Sequence, residues 1–440
     1  MSILTFRGGI HPRYNKERTA ALATKPLAAP DELVLPLSQH IGAPAVATVS
    51  VGDTVLRGQT IAQPGGFVSA AIHAPVSGTV SAIEPRPTGN GTLGDAIVLA
   101  NDHQDTETSY SGLGEDWAQA DAATLRDMVA RAGIVGLGGA AFPSHVKLAP
   151  PPDRTIDTVI INGAECEPWL TADHRLMLES ATAVVSGLRI IQHILGAPNG
   201  VIGIEANKPD ALRAISQAAT GTPIRVVSLA VKYPQGGEKQ LISACLKRRV
   251  PQGKLPMDVG VVVHNTGTAA AIHRAVVDGR PLLERIVTVT GTAVSQPANY
   301  WVRLGTPVAH VLQHCQTELT PAGKLILGGP MMGIAQKHAD IPVVKSTSGI
   351  LVLQPKDATT RPASPCIRCG RCVDACPMFL VPQELGAFAR LRMIPEARAA
   401  AALDCMECGS CAHACPAHIP LVQLIRLAKA DIHAAARKKM

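Results

Sequence analysis

The chain has 440 residues, of which 46% are hydrophobic, 3% aromatic and 17% charged, with a formal net charge of +7. That length suggests about three domains, with cores built from Ala, Val, Leu and Ile. No apolar run approaches the roughly 18 residues of a spanning helix, and MSILTFRGGIHP lacks an apolar leader core, so neither a membrane span nor a secretory leader is expected. Nothing resembles a nucleic-acid module, so nucleic acid is excluded as a partner. Residues 30 to about 100 read as short strands. ATVSVGDTVLRGQTIAQ alternates apolar positions between the turn signals Gly52-Asp53 and Arg57-Gly58, and VSAAIHAPVSGTVSAIE repeats the pattern around Pro75 to Gly78. A polar linker is expected near 101–116, then a helix over Ala118 to Ala132 with Leu125, Met128 and Val129 inward. Strands follow at Thr158 to Gly163, Val201 to Ala206, Ile224 to Val231 and Val259 to Asn265. They alternate with helices over 180–195 and 208–219, an order that argues a wound parallel sheet.

From Ile286 the pattern changes. IVTVTG, VRLGTPVAHVLQHC and KLILGGPMMG suggest a β-grasp-like module of strands around one helix. A loop from Pro355 to Pro365 then leads into a repeat. CIRCGRCVDACP carries Cys366, Cys369, Cys372 and Cys376, and CMECGSCAHACP carries Cys405, Cys408, Cys411 and Cys415. Helices are expected after each, over 383–392 and 421–436. Each run is C-x2-C-x2-C-x3-C-P, the ferredoxin spacing that holds [4Fe–4S] clusters. Three closely spaced thiolates bind three irons of one cubane, and the fourth serves the other cluster. Cluster one is therefore assigned to Cys366, Cys369, Cys372 and Cys415, and cluster two to Cys405, Cys408, Cys411 and Cys376. Structural zinc favours two separated C-x2-C pairs closing at four ligands, which two identical four-cysteine runs fit badly. Thiolates kept reduced for iron point to the cytosol. Cys245 and Cys315 read as small buried hydrophobes.

Four polar, glycine-bearing loops accompany the central strands. GLGGAAFP spans Gly136 to Pro143, with Gly136, Gly138 and Gly139 letting backbone approach a phosphate and Lys147 adding a point charge. INGAECEPWLTADHR carries Asn162, Glu165 and Glu167, suited to a flavin edge, a ribityl chain or a nicotinamide ribose. KYPQGGEKQL carries Tyr233 and Glu238, and HNTGTA carries Asn265 and Thr268. Any one of them suits an ordinary βα turn. Four in one sheet are how an open α/β fold assembles a cofactor crevice.

Several of these motifs carry family resemblances. VGDTVLRGQTI and APVSGTV resemble biotinyl and lipoyl carrier domains, but Phe67-Val68-Ser69-Ala70 at the hairpin tip has no Lys, so the fold is expected without a swinging arm. The four central loops resemble the FMN-binding flavoprotein subunit of respiratory complex I. RGGIHP, the lysine-free barrel, GLGGAAFP, NGAECEP, YPQGGEKQ, LILGGPMMG and the paired cysteine runs together resemble the C subunit of Rnf/Rsx membrane electron-transport complexes, over essentially the whole chain. The resemblance implies a multidomain α/β protein of four units. These are an N-terminal barrel-sandwich hybrid (1–110), a Rossmann-like FMN-binding α/β domain (117–285), a β-grasp soluble-ligand-binding module (286–354) and an α-helical two-[4Fe–4S] ferredoxin domain (360–432).

The resemblance further implies that Gly136, Gly138, Gly139 and Lys147 hold the FMN phosphate, and that Asn162 and Glu165 contact FMN. Glu167 lies nearer NAD(H), and Tyr233, Glu238, Asn265 and Thr268 complete the pocket. Ala164 and Gly237 replace acidic positions of the complex I pattern, and Trp169 and His174 are further differences. The implied activity is NADH-linked electron transfer through FMN and two clusters, with no catalytic acid, base or nucleophile. The implied partners are the membrane proteins of an Rnf-type complex, with ferredoxin reached through its other subunits. The implied location is peripheral, on the cytoplasmic side of the bacterial inner membrane. A soluble corrinoid reductase of a microcompartment, and a non-catalytic iron–sulfur conduit without NADH binding, are the alternatives.

Overall fold

The computed structural model describes residues 3–317, 323–358 and 361–437. Four parallel strands form the central sheet in the spatial order Arg225–Leu229, Asn199–Glu205, Thr158–Gly163, Val261–Asn265. All four are rich in Val and Ile because both faces are covered. Helix Ala181–Leu195 lies on one face and packs on helix Thr266–Val277. A Cβ on Gly187 would stand 1.9 Å from the Ala269 carbonyl oxygen, so only glycine allows this approach.

The strands and the long helix lie where the apolar pattern puts them, but Ala172–Glu179, Glu238–Leu246 and Thr266–Val277 are helices in segments that read as loops. The last is alanine-rich and lacks an alternating face; what starts it is Asn265, whose side chain accepts from the Gly267 N–H at 2.8 Å. The helix expected over 118–132 is a short 3-10 turn, Gly114–Gln119, followed by an α-helix, Ala122–Arg131, capped by Asp121.

Two small antiparallel sheets make the barrel. One contains Glu32–Pro36, Leu93–Asn101, Gly78–Pro87 and Thr54–Val55; the other contains Val46–Ala47, Thr60–Gln63 and Ile72–His73. The stretch where a carrier bears its lysine is tied down. Ser69 is fully buried and accepts from the Gly65 N–H, and the Ala70 N–H donates to His40 Nε2.

The β-grasp module is a mixed six-stranded sheet flanked by helix Val308–His314. Its edge strand, Thr24–Pro26, comes from the other end of the chain and pairs with Ala298–Arg303. Residues 3–27 thus stay out of the barrel and run across the molecule instead. Leu4 bridges Leu229, Ile10 bridges Tyr233, and Thr24–Pro26 completes the β-grasp sheet. The cluster domain is helical, with Leu385, Ala389, Ala397, Ile425 and Ile432 in its core. No described helix is long and apolar enough to cross a membrane.

Candidate flavin and iron–sulfur sites

The four central loops meet at the carboxyl ends of the parallel strands, where open α/β sheets bind ligands. Lys147 Nζ donates to Glu238 Oε1 and to the Val263 carbonyl, both at 2.7 Å. Gly138 lies against Asn265, whose amide nitrogen would be 2.7 Å from an added Cβ, while a Cβ added at Gly139 would meet nothing within 4 Å. The Leu137 N–H donates to Thr268 Oγ1 at 2.9 Å. Asn162 Nδ2 donates to the Gly236 carbonyl at 2.8 Å, tying the second loop to the third. The loops that carry Gly136, Gly138, Gly139, Lys147, Asn162, Glu238, Asn265 and Thr268 are therefore in mutual contact at one end of the sheet.

Three further expected residues on these loops are held by contacts of their own. Glu165 is buried with a left-handed φ of 46°. Its carboxylate accepts from the Asp173 and His174 N–H groups at 2.7 and 3.2 Å and so caps helix Ala172–Glu179. Burial pushes it up to about 7, against the pull of Lys16. Glu167 reaches away to the β-grasp hairpin, where Oε1 accepts from the N–H groups of Met331 and Met332 at 2.7 and 3.1 Å. Burial raises this carboxyl too. Tyr233 is 1% exposed, and its hydroxyl donates to the Cys408 carbonyl at 2.7 Å.

Other residues escape a reading of the sequence. Lys16 Nζ donates to the carbonyls of Glu165, Glu167 and Leu170, and Lys208 Nζ to that of Ala164. Two buried lysines thus fix the NGAECEP loop from outside it, and no local pattern announces them. Six of the buried polar atoms without a protein partner among the described residues lie beside the crevice loops. They are Ser144 Oγ, both amide atoms of Gln235, Gln240 Oε1, His264 Nε2 and Thr266 Oγ1. Each such group costs free energy unless something pairs with it, so a polar cofactor fits these loops. The place of Gln235 and Gln240 within PQGGEKQ, of His264 and Thr266 within HNT, and of Ser144 just after GLGGAAFP is the signal the sequence offers.

RGGIHP now has a physical role. Gly8 and Gly9 both have φ above 80°. The Gly9 N–H donates to the Ala375 carbonyl at 3.0 Å, and an added Cβ there would lie 2.5 Å from the Tyr233 carbonyl oxygen. Ile10 exchanges backbone hydrogen bonds with Tyr233. The motif is a thin wedge between the third flavin loop and the first cysteine run.

Cys376, Cys405, Cys408 and Cys411 line one small cavity in the helical domain. That is the crossed set given to cluster two, and its donors suit a cubane. The N–H groups of Leu380 and Glu407 point at Cys376 Sγ and Cys405 Sγ, each at 3.4 Å. In the first run the Arg368 N–H points at Cys366 Sγ in the same way. Such donors suit the negative sulfur of an iron-bound thiolate. Cluster two's loop presses on the flavin loops: an added Cβ on Gly237 would lie 2.8 Å from Met406 Cε. Gln240 Nε2 also donates to the Pro377 carbonyl at 3.1 Å. The site of a missing acid is where the cluster domain docks.

Four family models match the chain in this order. They are the RnfC barrel sandwich hybrid domain at 4–104, the Nuo51 FMN-binding domain at 129–274, the SLBB domain at 286–335 and the 4Fe-4S dicluster domain at 362–419. The C subunit of the Na(+)-translocating ferredoxin:NAD(+) oxidoreductase complex of Acetobacterium woodii is 48% identical, over 99% of this chain and 98% of that one. The C subunit of the proton-translocating ferredoxin:NAD(+) oxidoreductase complex of Clostridium ljungdahlii is 46% identical, over 99% and 95%. The C subunit of the ion-translocating oxidoreductase complex of Pseudomonas aeruginosa is 44% identical over 98% of this chain but only 56% of its own length. A crystal structure of an NAD+-reducing [NiFe]-hydrogenase shares the fold, with a TM-score of 0.50 at 17% identity over 72% of this chain and 64% of that one. The chain belongs to the family of C subunits of Rnf-type ion-translocating ferredoxin:NAD(+) oxidoreductase complexes.

Proposed function

We propose that this chain is the peripheral electron-transfer subunit of an Rnf-type membrane complex. It passes electrons between NAD(H), FMN, two [4Fe–4S] clusters and the membrane subunits, on the cytoplasmic side. When bound, FMN supplies exchange between two-electron hydride chemistry and single-electron transfer to the clusters. The residues do the positioning. Gly138, Gly139 and Lys147 offer backbone room and a cation for the flavin phosphate. Asn162, Glu238, Asn265 and Thr268 orient the rest of the flavin, and the unpartnered amide of Gln235 is a further donor and acceptor. Glu165 and Glu167 act at one remove, by fixing the loop and by fastening the β-grasp hairpin to it.

The observation that carries this reading is the joint between the flavin loops and cluster two. The Tyr233 hydroxyl holds the Cys408 carbonyl, and Gly237 makes room for Met406. Cys405, Cys408, Cys411 and Cys376 would hold the cluster beside the flavin loops, and Cys366, Cys369, Cys372 and Cys415 the outer one, so the pair would supply single-electron carriers from the flavin to the surface. Cys366 and Cys369 stand at the surface, within reach of a membrane partner.

The test is anaerobic purification with iron, sulfide and flavin analysis, then titration with NADH. About eight irons and bound flavin, both chromophores bleaching with NADH, is the expected result. Flavin that NADH leaves oxidised would remove the nicotinamide step. Lys147→Ala should weaken flavin binding about tenfold or more, the worth of a charge-assisted hydrogen bond, with iron unchanged. Equal flavin content in variant and parent would take Lys147 out of the site.

A further inference from the structure

One cavity is lined mostly by residues outside the flavin loops. It encloses about 520 Å³ where three units meet, between Arg57 of the barrel, helix Thr266–Val277, and the first β-grasp strand with Trp301. Leu137 and the Asn265–Asp173 hydrogen bond, 2.7 Å long, lie between the cavity and the crevice. Its size is that of a small-molecule site.

Four guanidinium groups line it; Arg280 pairs with Glu107 at 3.7 Å, and the other three have hydrogen-bonding capacity unspent. Arg285, 6% exposed, spends Nε and one terminal nitrogen on the carbonyls of Ile286, Leu137 and Lys345. Its other terminal nitrogen has no partner among the described residues. Arg57 pairs with Glu107 at 2.8 Å, but its Nε is buried and unpartnered. Arg274 lies over the Trp301 ring at 4.5 Å and, among the described residues, makes neither a hydrogen bond nor an ion pair. Nearby acids do not answer them. Asp173 is committed to Asn265, and Glu107 to Arg57 and Arg280. Asp278 and Glu284 stand on the lining without pairing to Arg274. Burial lowers both Arg274 and Arg285 from the usual guanidinium range, against the opposing pull of Glu284 and Asp278 on Arg274 and of Asp173 on Arg285.

Arg57 Nε is a buried donor without a partner, which is costly, and the unspent donors of Arg274 and Arg285 open on the same cavity, so together they call for an acceptor there. The remaining walls, Leu176, Ala270, Leu282, Leu283 and the Trp301 face, are apolar. A bare inorganic anion would leave those walls empty, and a neutral apolar molecule would leave the arginines unmet. A planar carboxylate matches the guanidinium fork, and a hydrocarbon body matches the walls. We propose that this cavity binds a small organic carboxylate with an apolar body, at a site separate from that of the flavin.

The test is calorimetric titration of the chain carrying its iron and flavin, using octanoate, octanol and inorganic phosphate as probes. Octanoate should bind saturably, and octanol and phosphate should not. Arg274→Ala should weaken octanoate at least about tenfold, as loss of a charge-assisted contact does. Ala270→Phe, which fills the cavity, should abolish binding. Non-saturable heats with octanoate, equal binding of phosphate or octanol, or undiminished binding by Arg274→Ala would each overturn the proposal. Should Ala270→Phe fail to fold, as seen by circular dichroism, Arg274→Ala decides alone. Iron and flavin content measured on the same samples keeps this outcome separate from that of the electron-transfer reading.

Discussion

Cys366 and Cys369 are exposed, whereas Cys408 and Cys411 of the second run are each 7% exposed. The backbone does not explain the difference. Arg368 and Glu407 occupy the same place in each run, with φ of 54° and 59°, and Gly370 and Gly409 follow at 76° and 80°. Each run aims the same N–H at its first sulfur, at 3.4 Å. What differs is the pair of residues between the first two cysteines. Ile367 is 68% exposed, but Met406 packs on the flavin loop beside Gly237. Arg368 faces solvent, but Glu407 pairs with Arg426 and Lys429. Ligand spacing sets the loop, and the residues between the cysteines decide which run packs on the loop around Gly237 and which faces outward.

Removing one ligand from each side breaks the comparison most severely. Cys411→Ala should cost cluster two, about half of the iron, and stop NADH from bleaching cluster one although dithionite still does. Cys369→Ala should lose a similar share of iron yet leave flavin and cluster two bleached together by NADH. Cys415→Ala should behave like Cys369→Ala, since the crossed assignment puts it on cluster one. Iron analysis and electron paramagnetic resonance distinguish these outcomes, and a Cys415 variant that behaves like the Cys411 one refutes the crossing.

Gly237→Glu restores the acid of the complex I pattern and acts on the joint rather than on a ligand. A glutamate there must displace Met406 Cε, which an added Cβ alone would approach to 2.8 Å. Iron and flavin content should stay at parent levels. The rate of cluster reduction after rapid mixing with NADH should fall ~10–100-fold, the scale on which small misplacements act. An unchanged rate would show that contact at Gly237 does not set the transfer.

Much of this organisation is legible in the sequence, for particular reasons. The cysteine runs are legible because spacing alone determines ligation. The strands Thr158–Gly163 and Val261–Asn265 are legible because buried parallel strands are unbroken apolar runs. Lys16 and Lys208 are not, because a lysine that donates to a distant backbone carbonyl leaves no local periodicity. Glu165 and Glu167 draw attention by type and position, but burial turns one into a helix cap and the other into a hairpin clasp. Strand Thr24–Pro26 pairs with a partner about 275 residues away, which no local pattern announces.

Tyr233→Phe makes a smaller cut at the same joint. It removes one hydroxyl and leaves the Cys408 carbonyl without its 2.7 Å donor. An unsatisfied buried group costs about 1–3 kcal/mol, so the midpoint of urea-induced cluster loss should fall measurably. Cluster two should release iron first. Loss from cluster one first would show that the exposed run, not the flavin joint, is the weaker half.

Lys345 offers the mildest test, at a joint between the barrel and the central domain. It is 1% exposed and donates to the carbonyls of Ala71 in the barrel and Gly133 in the central domain, each at 2.7 Å. No carboxylate compensates it, and burial pushes its ammonium down to about 7 from the ordinary 10.5. A base with a lowered pKa binds fewer protons folded than unfolded, so its contribution to stability rises with pH between about 7 and 10.5 and is flat below that window. The parent should therefore gain resistance to urea, relative to Lys345→Met, as pH is raised across the lower part of that window. Both clusters should keep their parent spectra in the variant, because the clasp joins barrel, central domain and β-grasp module without touching a cysteine loop. A pH slope identical in parent and variant would mean that Lys345 stays charged in the folded chain and that another group meets its third hydrogen.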